Sequence, residues 1–152
     1  MSIAFIFPGQ GSQSVGMGVD LAEAFASARE VFQEVDDALG QKLFALMKEG
    51  PESDLTLTEN AQPALMAVSL AAVRAMESRG FSIKDKVAYV AGHSLGEYSA
   101  LAAAGAFTVA DTARLLRRRG EAMQAAAPVG KGAMASLIGK VDVAVAEEIA
   151  AE

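Results

Sequence analysis

The chain contains no cysteine, which excludes a disulfide framework, a thiolate metal site and a cysteine nucleophile. Histidine occurs once, at His93, and no His or Cys cluster has the spacing of metal ligands. Positive charge is short as well: 13 Lys and Arg stand against 19 Asp and Glu, a net charge of -6. A protein held to nucleic acid by a basic face leans the other way, so that class is set aside. No apolar run approaches the ~18 residues of a membrane span. The apolar start, Ile3 to Phe7, is too short for a secretory signal and has no basic residue before it. These absences lead to the expectation of a cytoplasmic protein with no metal, no membrane and no nucleic-acid partner.

What is present favours a packed core. Hydrophobic residues make up 52% of 152 and charged residues 21%, which excludes disorder and collagen-like repeats. The length alone fits one domain. Ile3 to Phe7, ending in Pro8-Gly9, reads as a buried strand that opens into a loop. Leu21, Phe25, Phe32, Val35 and Leu39 recur at helical spacing, with Gly40 as the stop. A shorter helix is expected over Leu43 to Lys48. Another is expected from a cap at Asn60, through Pro63 in its first turn, to Arg79. Lys86 to Ala91 reads as a second buried strand, and Leu95 to Ala104 and Val109 to Ala127 as helices.

Pro128, Gly130 and Gly132 then mark a hinge over 128–132. A strand from Ala133 to Ile138 and a helix from Val141 to Ala151 follow. The reading is therefore an α/β fold with a mainly parallel sheet and flanking helices. Residues 1–127 form its large part, and 133–152 form the first βα unit of a second, smaller one.

Gly92-His93-Ser94-Leu95-Gly96 fits the G-x-S-x-G nucleophile elbow. A serine at a strained strand-to-helix corner needs glycine on both sides, because a Cβ there would clash. The apolar strand before it and the Ala-rich helix after it supply the required context. A tight βα turn whose serine only caps the helix fits the five residues too. The elbow turns the helix N-terminus toward the site, so the Leu95 amide faces a developing oxyanion. The Gly-rich loop Pro8-Gly9-Gln10-Gly11-Ser12-Gln13 follows the other strand and is the candidate source of a second donor. His93 is expected to turn away from Ser94, because neighbouring side chains on a strand point in opposite directions. A structural role beneath the elbow follows for it. Asp36-Asp37 and Glu147-Glu148 read as solvated helix faces, and the seven methionines as core filling.

Phe-Pro-Gly-Gln-Gly-Ser-Gln at 7–13 together with Gly-His-Ser-Leu-Gly-Glu-Tyr-Ser-Ala-Leu at 92–101 resembles the malonyl-CoA:acyl carrier protein transacylase family. Thr58 to Ala64 and Gly132 to Ala135 are also similar to segments of this family, and the resemblance runs from Ile3 to about Gly139. It implies an α/β-hydrolase-like acyltransferase core with a ferredoxin-like small subdomain beginning after the hinge. It also implies a malonyl group passed from coenzyme A to the phosphopantetheine thiol of acyl carrier protein through a seryl ester. Ser94 matches the nucleophile, the amides of Gln10 and Leu95 the oxyanion hole, and Arg119 the arginine that holds the malonyl carboxylate. Gln62 matches a pocket-lining position.

Arg117, Arg118 and Arg119 point about 100° apart on a helix, so only one faces a given pocket. Spacing does not choose among them, and a solvated cationic helix end explains them equally well. The choice of Arg119 rests on the resemblance. No bound cofactor is implied, since coenzyme A enters as the carrier of the substrate. Both partners are anionic, and Lys84, Lys86, Arg117 and Arg118 are the basic residues available to meet them.

The family's catalytic histidine matches no position in this sequence, which leads to the expectation of a partial enzyme. Such a chain would associate with the missing C-terminal portion or with itself. Two further readings share the motifs: a polyketide-type acyltransferase using another acyl-CoA, and a serine hydrolase, which the Gln10 loop and Arg119 disfavour. An inactive fragment, or one half of a two-piece enzyme, is the reading of a different class.

Overall fold

The computed structural model describes residues 2–127, 139 and 142–151. Strands β1 (Ile3–Phe7) and β2 (Val87–Gly92) pair in parallel, with Phe7 opposite Gly92, Ile6 opposite Ala91 and Phe5 opposite Val90. Between them run α1 (Val19–Ala24), α2 (Ala26–Leu39), α3 (Leu43–Glu49), α4 (Glu52–Thr56), α5 (Thr58–Ser78) and α6 (Ile83–Lys86). After β2 come α7 (Gly96–Ala103), α8 (Val109–Ala126) and α9 (Val143–Ala151). The molecule is an α/β fold in which a small parallel sheet carries flanking helices. Because the two strands end in register, the loop after Phe7 and the turn after Gly92 leave the sheet side by side. The carboxyl edge of a parallel sheet is where such folds place their chemistry.

The long helix α5 lies at the centre. Asn60 to Ala67 are buried without a break, as expected of a helix enclosed on all sides. Helices α2, α7 and α8 pack around it. The main core gathers Phe32, Leu43, Met47, Leu55, Met66 and Leu116, with Phe32 and Phe44 stacked at 4.3 Å between ring centroids. Helix α8 approaches α5 closely because residue 120 is glycine: a Cβ there would lie 2.5 Å from Glu59 Cα and 2.7 Å from the Thr58 carbonyl oxygen.

Several expectations are corrected. Both strands read as buried, yet Ile6 is 80% and Tyr89 72% exposed. One sheet face packs Phe5, Phe7, Val87 and Val90 against Val73, Ile83 and Ala100. Ile6 and Tyr89 alternate onto the other face, which nothing covers among the described residues. The helix expected over 21–39 is broken at Phe25, whose backbone is extended at φ -134° and ψ 119°. Apolar spacing hides this break because the side chains on either side of it face one core.

Asn60 does not cap α5, which begins at Thr58, so Pro63 sits inside the helix rather than in its first turn. Instead the Asn60 side chain donates to the Asp54 carbonyl at 2.8 Å. Asp36 is not a solvated residue. Its carboxylate accepts the Phe44 amide at 2.9 Å and so caps α3, which has no capping side chain at its own start. Between them Gly40, at φ 59°, turns the chain, with the Gly40 and Gln41 amides bonded back to the carbonyls of Asp37 and Asp36.

The short helices α4 and α6 had no signal in the apolar spacing. The hinge at 128–132 and the strand at 133–138 lie outside the described residues. The expected last helix is observed as α9, with Val143, Val145 and Ile149 exposed.

Candidate active site

The site begins where β2 turns into α7. The His93 amide donates to the Phe7 carbonyl at 3.1 Å, extending the pairing of the strands by one bond. The chain then reverses at Ser94, which has φ 55° and is the one non-glycine residue with positive φ among the described residues. Such a conformation costs a residue with a Cβ on the order of 1–3 kcal/mol and persists only where its surroundings enforce it. Here they do. The Gly96 amide donates to the His93 carbonyl at 2.9 Å and the Glu97 amide to the Ser94 carbonyl at 3.1 Å.

The two glycines are required by contact. A Cβ on Gly92 would run into the Gly96 carbonyl, and one on Gly96 would lie 2.8 Å from the Pro8 carbonyl oxygen. The Leu95 side chain is buried at 1% exposure. It plugs the core and fixes the backbone behind the exposed Ser94.

The Gly-rich loop lies against this corner. Gly9 abuts His93 so closely that a Cβ on residue 9 would meet the imidazole and sit 3.0 Å from the His93 carbonyl oxygen. Gln10 follows, and its side-chain amide donates to the Thr58 hydroxyl at 3.2 Å. The Gly11 amide donates to Gln13 Oε1 at 2.8 Å, closing the loop on itself. Neither the Gln10 nor the Leu95 amide donates to a protein acceptor among the described residues. Both main-chain N–H groups are therefore without a protein partner among the described residues.

The three arginines of α8 separate as helical geometry requires. Arg119 Nη2 donates to Ser94 Oγ at 3.1 Å and Nη1 to Gln62 Oε1 at 2.7 Å, with the guanidinium 5.9 Å from the Tyr98 ring centroid. Gln62 is fully buried, and its own amide lies 3.3 Å from Met123 Sδ. Arg118 is exposed. Arg117 turns the other way and donates to Asn60 Oδ1 at 2.9 Å and to Gln41 Oε1. Burial lowers its pKa from the usual arginine value, opposed by the nearby carboxylates of Glu59 and Glu121. Arg117 is thereby removed from the basic residues expected to meet an anionic partner, leaving Arg118, Lys84 and Lys86 exposed.

This arrangement has a carboxylate-sized consequence. Gln62 and Ser94 occupy one donor on each terminal nitrogen of Arg119, and the guanidinium keeps further donors for an arriving anion. The Ser94 hydroxyl, the main-chain amides of Gln10 and Leu95 and the Arg119 guanidinium thus lie at one corner of the fold. No group of three or more His, Asp or Glu residues is placed to hold a metal ion among the described residues.

A family model for the acyl transferase domain matches residues 4–150. The chain belongs to the acyl transferase domain family. Among the relatives of this acyl transferase chain is the malonyl CoA-acyl carrier protein transacylase of Bacillus subtilis (strain 168). The two are 49% identical over 137 residues, covering 90% of this chain and 42% of that protein. The solved acyl-carrier-protein-S-malonyltransferase from Bartonella henselae is 63% identical at a TM-score of 0.91, covering 98% of this chain and 47% of that one. A malonyl-transacylase solved in complex with a type II PKS acyl-carrier protein is 45% identical at a TM-score of 0.79, covering 84% and 40%. The acyl transferase chain thus spans less than half the length of these relatives.

Sequence reasoning named Ser94, Leu95, Gln10, Arg119 and Gln62, and these residues converge on one corner of the fold. His93 stands beside Gly9, and its ring makes no hydrogen bond among the described residues. Thr58, Tyr98 and Met123 were not singled out as site residues. The signal for two of them was available: Thr58 precedes Gln62, and Met123 follows Arg119, by the four residues that put side chains on one helix face.

Proposed function

We propose that this chain supplies the nucleophile, the oxyanion donors and the carboxylate anchor for malonyl transfer from coenzyme A to acyl carrier protein. The observation that carries the reading is Arg119 held between buried Gln62 and the Ser94 hydroxyl. An acyl group with a free carboxylate would meet the guanidinium while its thioester carbonyl lies at Ser94. In the first half-reaction Ser94 Oγ bonds to the thioester carbon, the amides of Gln10 and Leu95 hold the oxyanion, and the C–S bond breaks to release coenzyme A as its thiol. In the second the carrier thiol bonds to the same carbon and the ester C–O bond breaks, which restores Ser94. Removing one oxyanion donor costs ~2.7–4 kcal/mol of transition-state stabilisation in enzymes generally.

The reading takes the proton of Ser94 to a base that His93 does not supply, since the His93 ring lies against Gly9. It makes coenzyme A a substrate carrier with no bound cofactor, and divides the chain at 128–132. Both substrates are water-soluble anions, in keeping with a cytoplasmic enzyme and with Lys84, Lys86 and Arg118 as docking charges. The relative solved with a type II PKS carrier favours a second reading, in which the acceptor is a polyketide carrier protein.

The test is the intact mass of the chain after malonyl-CoA, with imidazole added as an external base. The expected result is one malonyl adduct that grows with imidazole, is absent in Ser94→Ala and moves to added carrier protein. An adduct that persists in Ser94→Ala, or that loses malonate to water at the same rate with or without carrier protein, would overturn the reading.

A further inference from the structure

The segment Thr58 to Ala64 has one residue, Gln62, that the mechanism uses. We infer that Thr58 is a second positioning residue: its hydroxyl holds the Gln10 loop so that the Gln10 main-chain N–H stays aimed at the oxyanion. The inference rests on the acyl-transfer reading for the purpose of that aim, and on geometry alone for the hold.

The loop from Pro8 to Gln13 has few means of keeping its shape. Gln10, Gly11 and Ser12 are exposed, so apolar packing does not fix them. The Gly11–Gln13 bond is internal to the loop and cannot orient it. At its near end Gly9 is wedged against His93, and at its far end the Gly16 amide donates to the Met47 carbonyl at 2.8 Å. Between these ends, the one side-chain hydrogen bond from the loop to the rest of the molecule among the described residues is Gln10 Nε2 to Thr58 Oγ1, at 3.2 Å.

Thr58 is a well-founded anchor. It opens α5, the most buried helix, and its carbonyl lies under Gly120 where α8 crosses. One turn further along the same face, Gln62 holds Arg119. Arg119 stands next to Gly120, so a single helix fixes both the oxyanion loop and the carboxylate anchor relative to one another. The hydroxyl of Thr58 sets one and Oε1 of Gln62 sets the other, at a separation along the axis of about 6 Å, four residues of helix.

Removing the hydroxyl while keeping the shape isolates the bond. Thr58→Val leaves the volume and loses the acceptor; Thr58→Ser keeps the acceptor and loses a methyl group. Two readouts on the whole chain are compared: the order parameter of the Gln10 main-chain N–H from NMR relaxation, and the imidazole-assisted rate of malonyl adduct formation on Ser94. In Thr58→Val the Gln10 order parameter is expected to fall from the rigid-backbone range to below about 0.6, while those of Leu95 and Gly96 hold. The adduct rate at saturating malonyl-CoA is expected to fall about fivefold, the scale of one neutral hydrogen bond, with half-saturation unchanged. Thr58→Ser is expected to restore both, and in a Gln10→Ala background Thr58→Val is expected to add nothing.

An unchanged Gln10 order parameter in Thr58→Val would overturn the inference. So would equal losses in Thr58→Val and Thr58→Ser, which assign the effect to packing, or a lowered order parameter with an unaltered adduct rate. If the unmodified chain forms no adduct, the acyl-transfer reading fails on its own, and the relaxation measurement still decides whether Thr58 holds Gln10.

Discussion

Asp36 and Arg117 are charged groups whose surroundings, rather than their chemistry, define their work. Asp36 is half-buried and caps α3 through the Phe44 amide, and burial raises its pKa from the ordinary 3.8, against the lowering effect of the Phe44 and Leu43 amides. A carboxyl with a raised pKa binds its proton more tightly folded than unfolded. Its contribution to stability is therefore fullest below the unfolded value and is lost as pH rises through the folded one. Asp36→Asn keeps an oxygen acceptor for Phe44 and does not titrate. Urea midpoints are expected to show the Asp36→Asn variant as stable as the parent, or more so, at about pH 7, with the parent gaining on it as pH falls toward about 4. A gap that is constant across that range would contradict the assignment.

At this scale Ser94, with glycine on both sides, was legible because steric demand writes itself into composition. The partition of Arg117, Arg118 and Arg119 was not, because three adjacent residues share one composition and differ only in direction. The direction is set by Gly120, which lets α8 close onto α5 and brings Arg119 to Gln62.

The elements show the same division. Both strands and the helices from α2 onward with long apolar periodicity were legible, since each buries one continuous face. The break at Phe25 was not, because α1 and α2 send Leu21, Phe25 and Phe32 into one core and leave the spacing intact. Helices α4 and α6 span 5 and 4 residues, too few to show a period.

The α5–α8 crossing is the element that the site depends on most. Gly120→Ala places a methyl group 2.5 Å from Glu59 Cα. Backbone on the far side cannot rotate away, so the helices must separate, at a cost of about 1–3 kcal/mol by denaturant unfolding. The same separation draws Arg119 off Gln62, so malonyl-CoA binding should weaken with stability. Loss below about 0.5 kcal/mol would mean that the crossing is looser than its geometry indicates.

For the whole molecule, the parallel sheet places the Gln10 loop and the Ser94 elbow at one edge, and a single central helix ties that edge to the arginine. The opposite sheet face, with Ile6 and Tyr89 exposed, explains why both strands read as buried. Strands in parallel sheets are apolar on both faces because both faces are normally covered. Ile6 and Tyr89 thus have the apolar character of a face that another layer normally covers, and no described residue covers it; the relatives are more than twice as long as the matched chain.

The proposed role of the fold is to deliver a carboxylate anchor, Arg119, to a nucleophile, Ser94. Equilibrium binding of malonyl-CoA and acetyl-CoA, compared by calorimetry in the parent and in Arg119→Ala, tests it without requiring turnover. The parent is expected to bind malonyl-CoA at least about tenfold more tightly than acetyl-CoA, a charge-assisted preference of ~1.4 kcal/mol or more, and Arg119→Ala is expected to bind the two alike. A variant that still prefers malonyl-CoA, or a parent that never did, would contradict it.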